Sequence, residues 1–212
     1  MEVKLAPHNI YAESTPNPST MKFVSNRYLI VDGEVYEFNN KQEAEASDLA
    51  KELFTFPFIT GVFIASNFIS ISKSTLVEWD DILLELKAFI GDFLNAEGAK
   101  IIDKEKLTTS LTAKDNSSSK EAAASTIQAP NRDDLTPIEI KISEILDEYV
   151  RPAVESDGGA IHFHEFKDGV VSVVLKGACS GCPSSTMTLK TGIQNLLMDM
   201  LPEVKSVEAI NG

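Results

Sequence analysis

A polar stretch between residues 108 and 136 constrains the fold of this 212-residue chain more than any other feature. It reads "TTSLTAKDNSSSKEAAASTIQAPNRDDLT", with no aromatic residue and no apolar periodicity. A segment of this composition cannot bury enough apolar surface to offset the entropy lost on ordering. The sequence therefore predicts a flexible linker at 108–136 between an N-terminal domain, 1–107, and a C-terminal domain, 137–212.

The N-terminal part alternates strand-like and helix-like patterns. Runs rich in β-branched and aromatic residues occupy 21–31 and 35–38, and a third run at 61–72 is interrupted by the turn residues Ser66 and Asn67. Helical spacing of apolar residues predicts helices over 41–54 and 77–94. This part has no cysteine and a single histidine, His8, so we expect a small α+β domain without a catalytic site.

The C-terminal part predicts the order helix, strand, strand, helix, strand. Thr136, Pro137 and Glu139 form a capping-box pattern at the start of a helix that runs to about residue 154. Alternating runs at 160–166 and 170–177 flank the turn residues 167–169 and predict a β-hairpin. A helix over 188–200 and a strand over 204–210 follow. The fold class is therefore α+β, with two small α+β domains.

The net charge and the composition of the first 18 residues limit the functions and locations that we expect for this chain. The formal charge of −13 disfavours binding to nucleic acid and to anionic membranes. The first 18 residues have neither a secretory signal nor an Arg-rich leader, and no apolar run approaches the ~20 residues of a membrane span. These patterns predict a cytoplasmic protein.

The only two cysteines, Cys179 and Cys182, form a C-x-x-C motif between a predicted strand and a predicted helix. The positive end of a helix dipole and its unpaired N–H groups stabilise thiolates, which are the form that attacks disulfides or binds metal. Gly177 and Gly181 permit close approach of the backbone, and Pro183 favours a first helical turn. The local sequence suits either an activated dithiol or a metal site.

Three interpretations of the motif remain open on spacing alone. The two cysteines are ordinary buried residues, or a thioredoxin-like redox pair, or half of a metal site. In the third, a two-fold dimer would bring two copies of the motif together and supply the four thiolates of a 4Fe–4S cluster or a zinc site.

The motif and its surroundings resemble a known family. "GACSGCPSSTMTLKTGIQNLL", with "VRPAVESDGG" upstream, is similar to the C-terminal NifU-type domain of Nfu iron–sulfur scaffold and carrier proteins. "STPNPSTMKFV" at 14–24 resembles the start of the N-terminal domain that accompanies it in two-domain Nfu proteins. The resemblance covers both halves of the chain but not the linker.

The resemblance implies a protein that holds a 4Fe–4S cluster between two subunits and passes it to apo-proteins. Cys179 and Cys182 would be the cluster ligands, and no residue would be catalytic. The partners would be a second copy of the chain, apo iron–sulfur client proteins and an upstream assembly scaffold. The chain departs from the family pattern at Ala160, where an acidic residue is usual.

Three other features have competing interpretations. His162 and His164 could bind metal, but we expect a solvent-facing strand. Asp157, Gly158 and Gly159 could shape the cysteine site, although a turn that ends a helix is the simpler expectation. The apolar run at 54–72 could bind clients, but its pattern favours the core of the first domain.

Overall fold

The structure, a computed structural model, describes residues 6–31, 33–98, 100–103, 135–180 and 183–211. The predicted linker lies outside the described residues except at 135 and 136. The chain divides into two compact units, and each is described separately. The segment Ser14–Met21 belongs to the second unit together with the C-terminal part of the chain, and the other N-terminal residues form the first unit.

A five-stranded sheet dominates the N-terminal part. Its strands are β1 (Ile10–Ser14), β2 (Thr20–Ser25), β3 (Val35–Phe38), β4 (Ile59–Ala65) and β5 (Phe68–Lys73). They lie in the order β1-β2-β5-β4-β3. The helices are α1 (Asp48–Leu53), which follows a short 3₁₀ turn at Glu43–Ala46, and α2 (Trp79–Asn95).

Two predictions for this part need correction. No strand forms at 27–31, because the N–H groups of Leu29 and Ile30 both donate to the carbonyl oxygen of Ser66 instead of to a neighbouring strand. The predicted helix at 41–54 is divided at Ser47, whose side chain accepts a hydrogen bond from the N–H of Ala50 and caps α1. The strand pair around residues 66 and 67 is confirmed, with antiparallel β4 and β5.

The second unit has the predicted order of elements. Its helices are α3 (Pro137–Ile145), a π-helical turn (Leu146–Val150) and α4 (Arg151–Ser156), followed later by α5 (Pro183–Met200). Its strands are β6 (Gly159–Lys167), β7 (Val170–Gly177) and β8 (Ser206–Asn211). The α+β class is confirmed, and so is the helix–strand–strand–helix–strand order.

The capping box predicted at the start of α3 is present. The backbone N–H of Thr136 donates to Oε2 of Glu139 at 2.8 Å, and the Thr136 hydroxyl donates to the same oxygen at 2.6 Å. These two hydrogen bonds lower the pKa of the Glu139 carboxyl. Local sequence alone therefore fixes where this helix begins.

Strands β6 and β7 form the antiparallel hairpin, and β8 pairs with β7 in parallel. Helix α5 makes the crossover that a parallel pair requires. One face of this sheet packs against the helices through buried apolar side chains. The core includes Ile142, Leu146, Val154, Ile161, Val171, Val173, Leu175, Ile193, Leu197 and Val207. None of the described helices is both long enough and apolar enough to cross a membrane.

Candidate functional site

The first cysteine of the motif lies in the connection between β7 and α5. Gly177 ends β7 with a φ of 69° that favours glycine, and its carbonyl oxygen accepts from both the backbone N–H and the hydroxyl of Ser180. The Thr186 hydroxyl donates to the carbonyl oxygen of Cys179 at 3.0 Å. Hydrogen bonds from the end of β7 and from the start of α5 thus hold the backbone on both sides of Cys179. Gly181 and Cys182 lie outside the described residues.

The thiol of Cys179 is not activated in this conformation. Only 5% of the residue is exposed, and it packs within the apolar core of the second unit. Burial, with a smaller contribution from the carboxylate of Asp157, raises the pKa of Cys179 to about 11. Desolvation thus opposes the stabilisation of a thiolate that we expect from the helix start.

The predicted turn at residues 157–158 ends helix α4. The N–H groups of Asp157 and Gly158 donate to the carbonyl oxygens of Ala153 and Glu155, and Gly158 has a φ of 81°. The carbonyl oxygen of Gly158 also accepts from the N–H of Ala178 at 3.2 Å. The turn therefore ends a helix and supports the cysteine loop at the same time.

The segment Ser14–Met21, which belongs to the second unit, also contacts the cysteine loop. Nδ2 of Asn17 donates to the carbonyl oxygen of Ala178 across 3.4 Å, and Asn17 is buried. The asparagine is held in place locally, since its Oδ1 accepts from the N–H of Ser19 and its N–H donates to Oγ1 of Thr15. Sequence reasoning missed this contact, although the Asn between two prolines marks a constrained turn.

The two histidines of β6 do not form a metal-binding pair. His162 is buried and His164 is exposed, because a bulge between Phe163 and Glu165 shifts the strand register. The expectation of a solvent-facing strand is thus correct at His164 and wrong at His162. Burial, then the positive charges of Arg151 and Lys176, lower the pKa of His162 to about 4.

The apolar run at 54–72 belongs mainly to the core, as its pattern favoured. Both strands of this run are largely buried on both faces. The buried residues are Ile59, Val62, Phe63, Ile64, Phe68, Ile69 and Ile71.

The geometry around Cys179 bears on two interpretations of the C-x-x-C motif, the redox pair and the metal site. A redox nucleophile requires a lowered thiol pKa and an accessible sulfur atom, and Cys179 has neither here. The β7–α5–β8 crossover is nevertheless the kind of unit in which redox motifs occur, and we did not predict this parallel pairing. The described part of the chain contains no group of three or more His, Cys, Asp or Glu side chains arranged for metal.

Two protein families match this chain. The family described as "NifU-like domain" matches residues 142–208, a range that includes both cysteines. The family described as "Scaffold protein Nfu/NifU N terminal" matches residues 10–97. The two ranges leave the stretch between 98 and 141 unmatched.

Two curated relatives are similar over nearly the whole chain. A protein of Drosophila persimilis named "NFU1 iron-sulfur cluster scaffold homolog, mitochondrial" is 38% identical over 201 residues, covering 95% of this chain and 64% of the relative. "NifU-like protein 4, mitochondrial" of Arabidopsis thaliana is 36% identical over 201 residues, with 94% and 65% covered. The chain therefore spans slightly less than two thirds of these relatives.

Among solved structures, the solution structure of a NifU-like protein from Saccharomyces cerevisiae matches with a TM-score of 0.40 and 24% identity. The matched region covers 49% of this chain and 92% of the yeast protein's chain.

The comparisons overturn the predicted cytoplasmic location. Both relatives are named as mitochondrial proteins. The prediction used the composition of the first 18 residues, and the composition at one end of a chain does not report its compartment.

Proposed function

Since the chain belongs to the Nfu/NifU-type family of iron–sulfur scaffold proteins, we propose that it carries a 4Fe–4S cluster and transfers it to apo-proteins. The observation that carries this proposal is the match to the NifU-like domain over 142–208, which includes Cys179 and Cys182. The relatives named as scaffolds support the same role. Mitochondria are the expected compartment.

The number of thiols determines the assembly that we propose. A 4Fe–4S cluster takes four thiolates, and one chain has only two cysteines. Two copies related by a two-fold axis would each supply Cys179 and Cys182 to one cluster. The cluster is cargo in this scheme, so the protein is a carrier and not a catalyst.

Cluster binding requires a change at Cys179. Its thiol is buried and has a raised pKa, whereas a metal ligand must be a thiolate. Loading therefore exposes the sulfur atom and releases its proton to solvent, and the iron–thiolate bond offsets the cost of deprotonation. In transfer, thiolates of the client replace the four cysteine sulfurs one by one, and each released thiolate takes up a proton from water. No electrons are exchanged with the cluster.

The remaining assignments follow from the same scheme. We assign residues 1–107 to an N-terminal Nfu-type domain, 108–136 to a flexible linker and 137–212 to the cluster-binding domain. The N-terminal domain, which has no cysteine, would recognise clients or orient the dimer. An upstream assembly scaffold would supply the cluster.

Anaerobic reconstitution with iron and sulfide tests the proposal. We expect a brown dimer that contains about four irons and four sulfides per two chains. The substitutions Cys179→Ser and Cys182→Ser should each abolish cluster retention, while Gly192→Ala, whose added β-carbon meets nothing within 4 Å, serves as the control. A colourless monomer after reconstitution would contradict the proposal.

Two alternatives are separated by further measurements. A C-x-x-C dithiol oxidoreductase would reduce model disulfides as a monomer without iron. A structural zinc dimer would contain about one zinc per two chains and no sulfide when isolated anaerobically. Metal and sulfide content, together with the oligomeric mass of the same sample, distinguish all three.

A further inference from the structure

Gly159, the first residue of β6, lies against the side chain of Cys179. A β-carbon built at Gly159 would be 2.8 Å from Sγ of Cys179 and 3.1 Å from its Cβ. It would also be 2.6 Å from the carbonyl oxygen of Lys176. Contacts below 3.0 Å do not occur at real β-carbons, so any side chain at 159 would force its neighbours to move.

Glycine is required at position 159 because a side chain has no room there, and not because of the backbone conformation. Among the described residues of the second unit, positive φ angles occur at Gly158, Asp168, Gly169 and Gly177, and Gly159 is not one of them. It pairs with Gly177 in the β6–β7 ladder, where extended backbone is accessible to every residue type. The missing side chain therefore provides the volume that the thiol occupies.

We propose that Gly159 is a positioning residue for Cys179, which fixes the place and direction of the thiol beside the β6–β7 pair. Its role as a determinant of cluster binding rests on the proposed function, but the contact itself does not. A methyl group at 159 would push Cys179 out of its buried position and separate the adjacent end of the strand pair. The sulfur would then become accessible without any ligand.

The test measures alkylation of Cys179 by iodoacetamide in the full chain, at one fixed pH, with Cys182→Ser present so that a single thiol reacts. Under native conditions, Gly159→Ala should make alkylation at least about tenfold faster, since overpacking a filled site costs on the order of 1–3 kcal/mol. The free energy of unfolding of each variant, measured in urea, corrects the rate for global unfolding.

Two glycines of the same unit provide matched controls. Gly169→Ala strains the hairpin turn, where φ is 89°, so it should lower stability without accelerating alkylation. Gly192→Ala adds a β-carbon that meets nothing within 4 Å and should leave the rate unchanged. Equal alkylation rates in wild type and Gly159→Ala would overturn the proposal, and so would equal acceleration by Gly169→Ala.

A second substitution covers the case in which Gly159→Ala does not fold. Cys179→Gly removes two of the three atoms that the new methyl group would strike, Sγ and Cβ of Cys179, and leaves the carbonyl oxygen of Lys176 in place. The double variant should then regain a cooperative unfolding transition. If it remains unfolded, the 2.6 Å approach to the carbonyl oxygen of Lys176, and not the contact with Cys179, is what requires glycine at 159, and the proposal fails.

Cluster retention separates this inference from the proposed function. In reconstituted protein with both cysteines, Gly159→Ala should lose its cluster to a chelator faster than Gly192→Ala. If the wild-type protein binds no cluster, the proposed function fails, but the alkylation rates still decide the role of Gly159. If the wild type binds a cluster and Gly159→Ala retains it equally well, the inference fails alone.

Discussion

Ala160 lies directly opposite Lys176 in the β6–β7 pair, and both residues are buried. Residues paired in this way point to the same face of a sheet, with β-carbons about 4.5–5.5 Å apart. An acidic side chain at position 160 would therefore share a face of the sheet with the side chain of Lys176. Alanine at position 160 adds no charge to this face.

This geometry predicts that Ala160→Asp is tolerated only when Lys176 is present. A buried carboxylate beside an ammonium group is partly neutralised, whereas one without a partner bears the full cost of desolvation. We expect a coupling of about 1–3 kcal/mol between Ala160→Asp and Lys176→Met in a double-mutant cycle from urea unfolding. Equal costs of Ala160→Asp in both backgrounds would show that the two side chains do not interact.

The Asn17 contact predicts faster local opening of the cysteine loop in Asn17→Asp. Aspartate keeps the oxygen that accepts from Ser19 but loses the N–H that donates to the carbonyl oxygen of Ala178. Losing a hydrogen bond of about 1 kcal/mol should accelerate amide hydrogen exchange of residues 178–180 by roughly fivefold. Hydrogen-exchange mass spectrometry measures this change.

The control for this substitution is Asn67→Asp. Asn67 donates from Nδ2 to the carbonyl oxygen of Ser25 at 3.1 Å in the first unit, so the change in charge and chemistry is the same. It should leave exchange at 178–180 unaltered. Acceleration by both variants would mean that charge, and not the Ala178 contact, controls the loop.

Because the pKa of His162 is lowered in the folded chain, we expect the protein to lose stability in mild acid. Its pKa is about 4 in the folded chain and near 6.5 in the unfolded one, so protonation favours unfolding. Its contribution to stability is fully present above pH 6.5, is lost as the pH falls from 6.5 to 4 at up to about 1.4 kcal/mol per pH unit, and does not change further below pH 4. Nearby Arg151 and Lys176 strengthen this effect, whereas the carboxylate of Asp147 opposes it.

Urea unfolding of His162→Gln between pH 4 and pH 7 isolates this contribution from the carboxyl groups that titrate in the same range. The variant should show a shallower loss of stability than the wild type. His164→Gln, which replaces the exposed histidine of the same strand, should follow the wild-type curve. Parallel curves for all three proteins would contradict the assignment to His162.

The capping box predicts that Thr136→Ala destabilises the second unit by about 1 kcal/mol. The substitution removes the hydroxyl that donates to Glu139 and leaves only the backbone hydrogen bond between the two residues. Thr191→Ala is the control, since Thr191 lies inside α5 and its hydroxyl donates to the carbonyl oxygen of Met187. That change should be neutral or stabilising, because alanine is the better helix former. Thermal unfolding compares the two.

Short-range patterns predicted much of this fold. The capping box at Thr136 and the hairpin around Gly169 depend on residues within a few positions of one another, and both are present. The run at 27–31 failed because its polar backbone groups bond to Ser66, some 35 residues away, and no local pattern reports such a partner. Strand propensity was overridden by a tertiary hydrogen bond.

The features of the candidate site also divide into those that the local sequence predicts and those that depend on the folded unit. The spacing of Cys179 and Cys182 identified the motif, and helix-start chemistry suggested a thiolate. The protonated thiol arises from burial of Cys179 among residues distant in sequence and from the nearby carboxylate of Asp157. The bulge that separates His164 from His162 is likewise a property of the strand pair. Burial and register depend on the assembled unit, so neither could be predicted from the motif.

The β7–α5–β8 crossover has a consequence for how this region can vary. The span from Gly177 to Pro183 joins a central strand to a helix, and both are fixed by their packing in the same core. The distance between its two ends is thus set by the fold, and an added or deleted residue would displace the sulfur atom of Cys179. The length of this span is therefore constrained along with its two cysteines and Gly177.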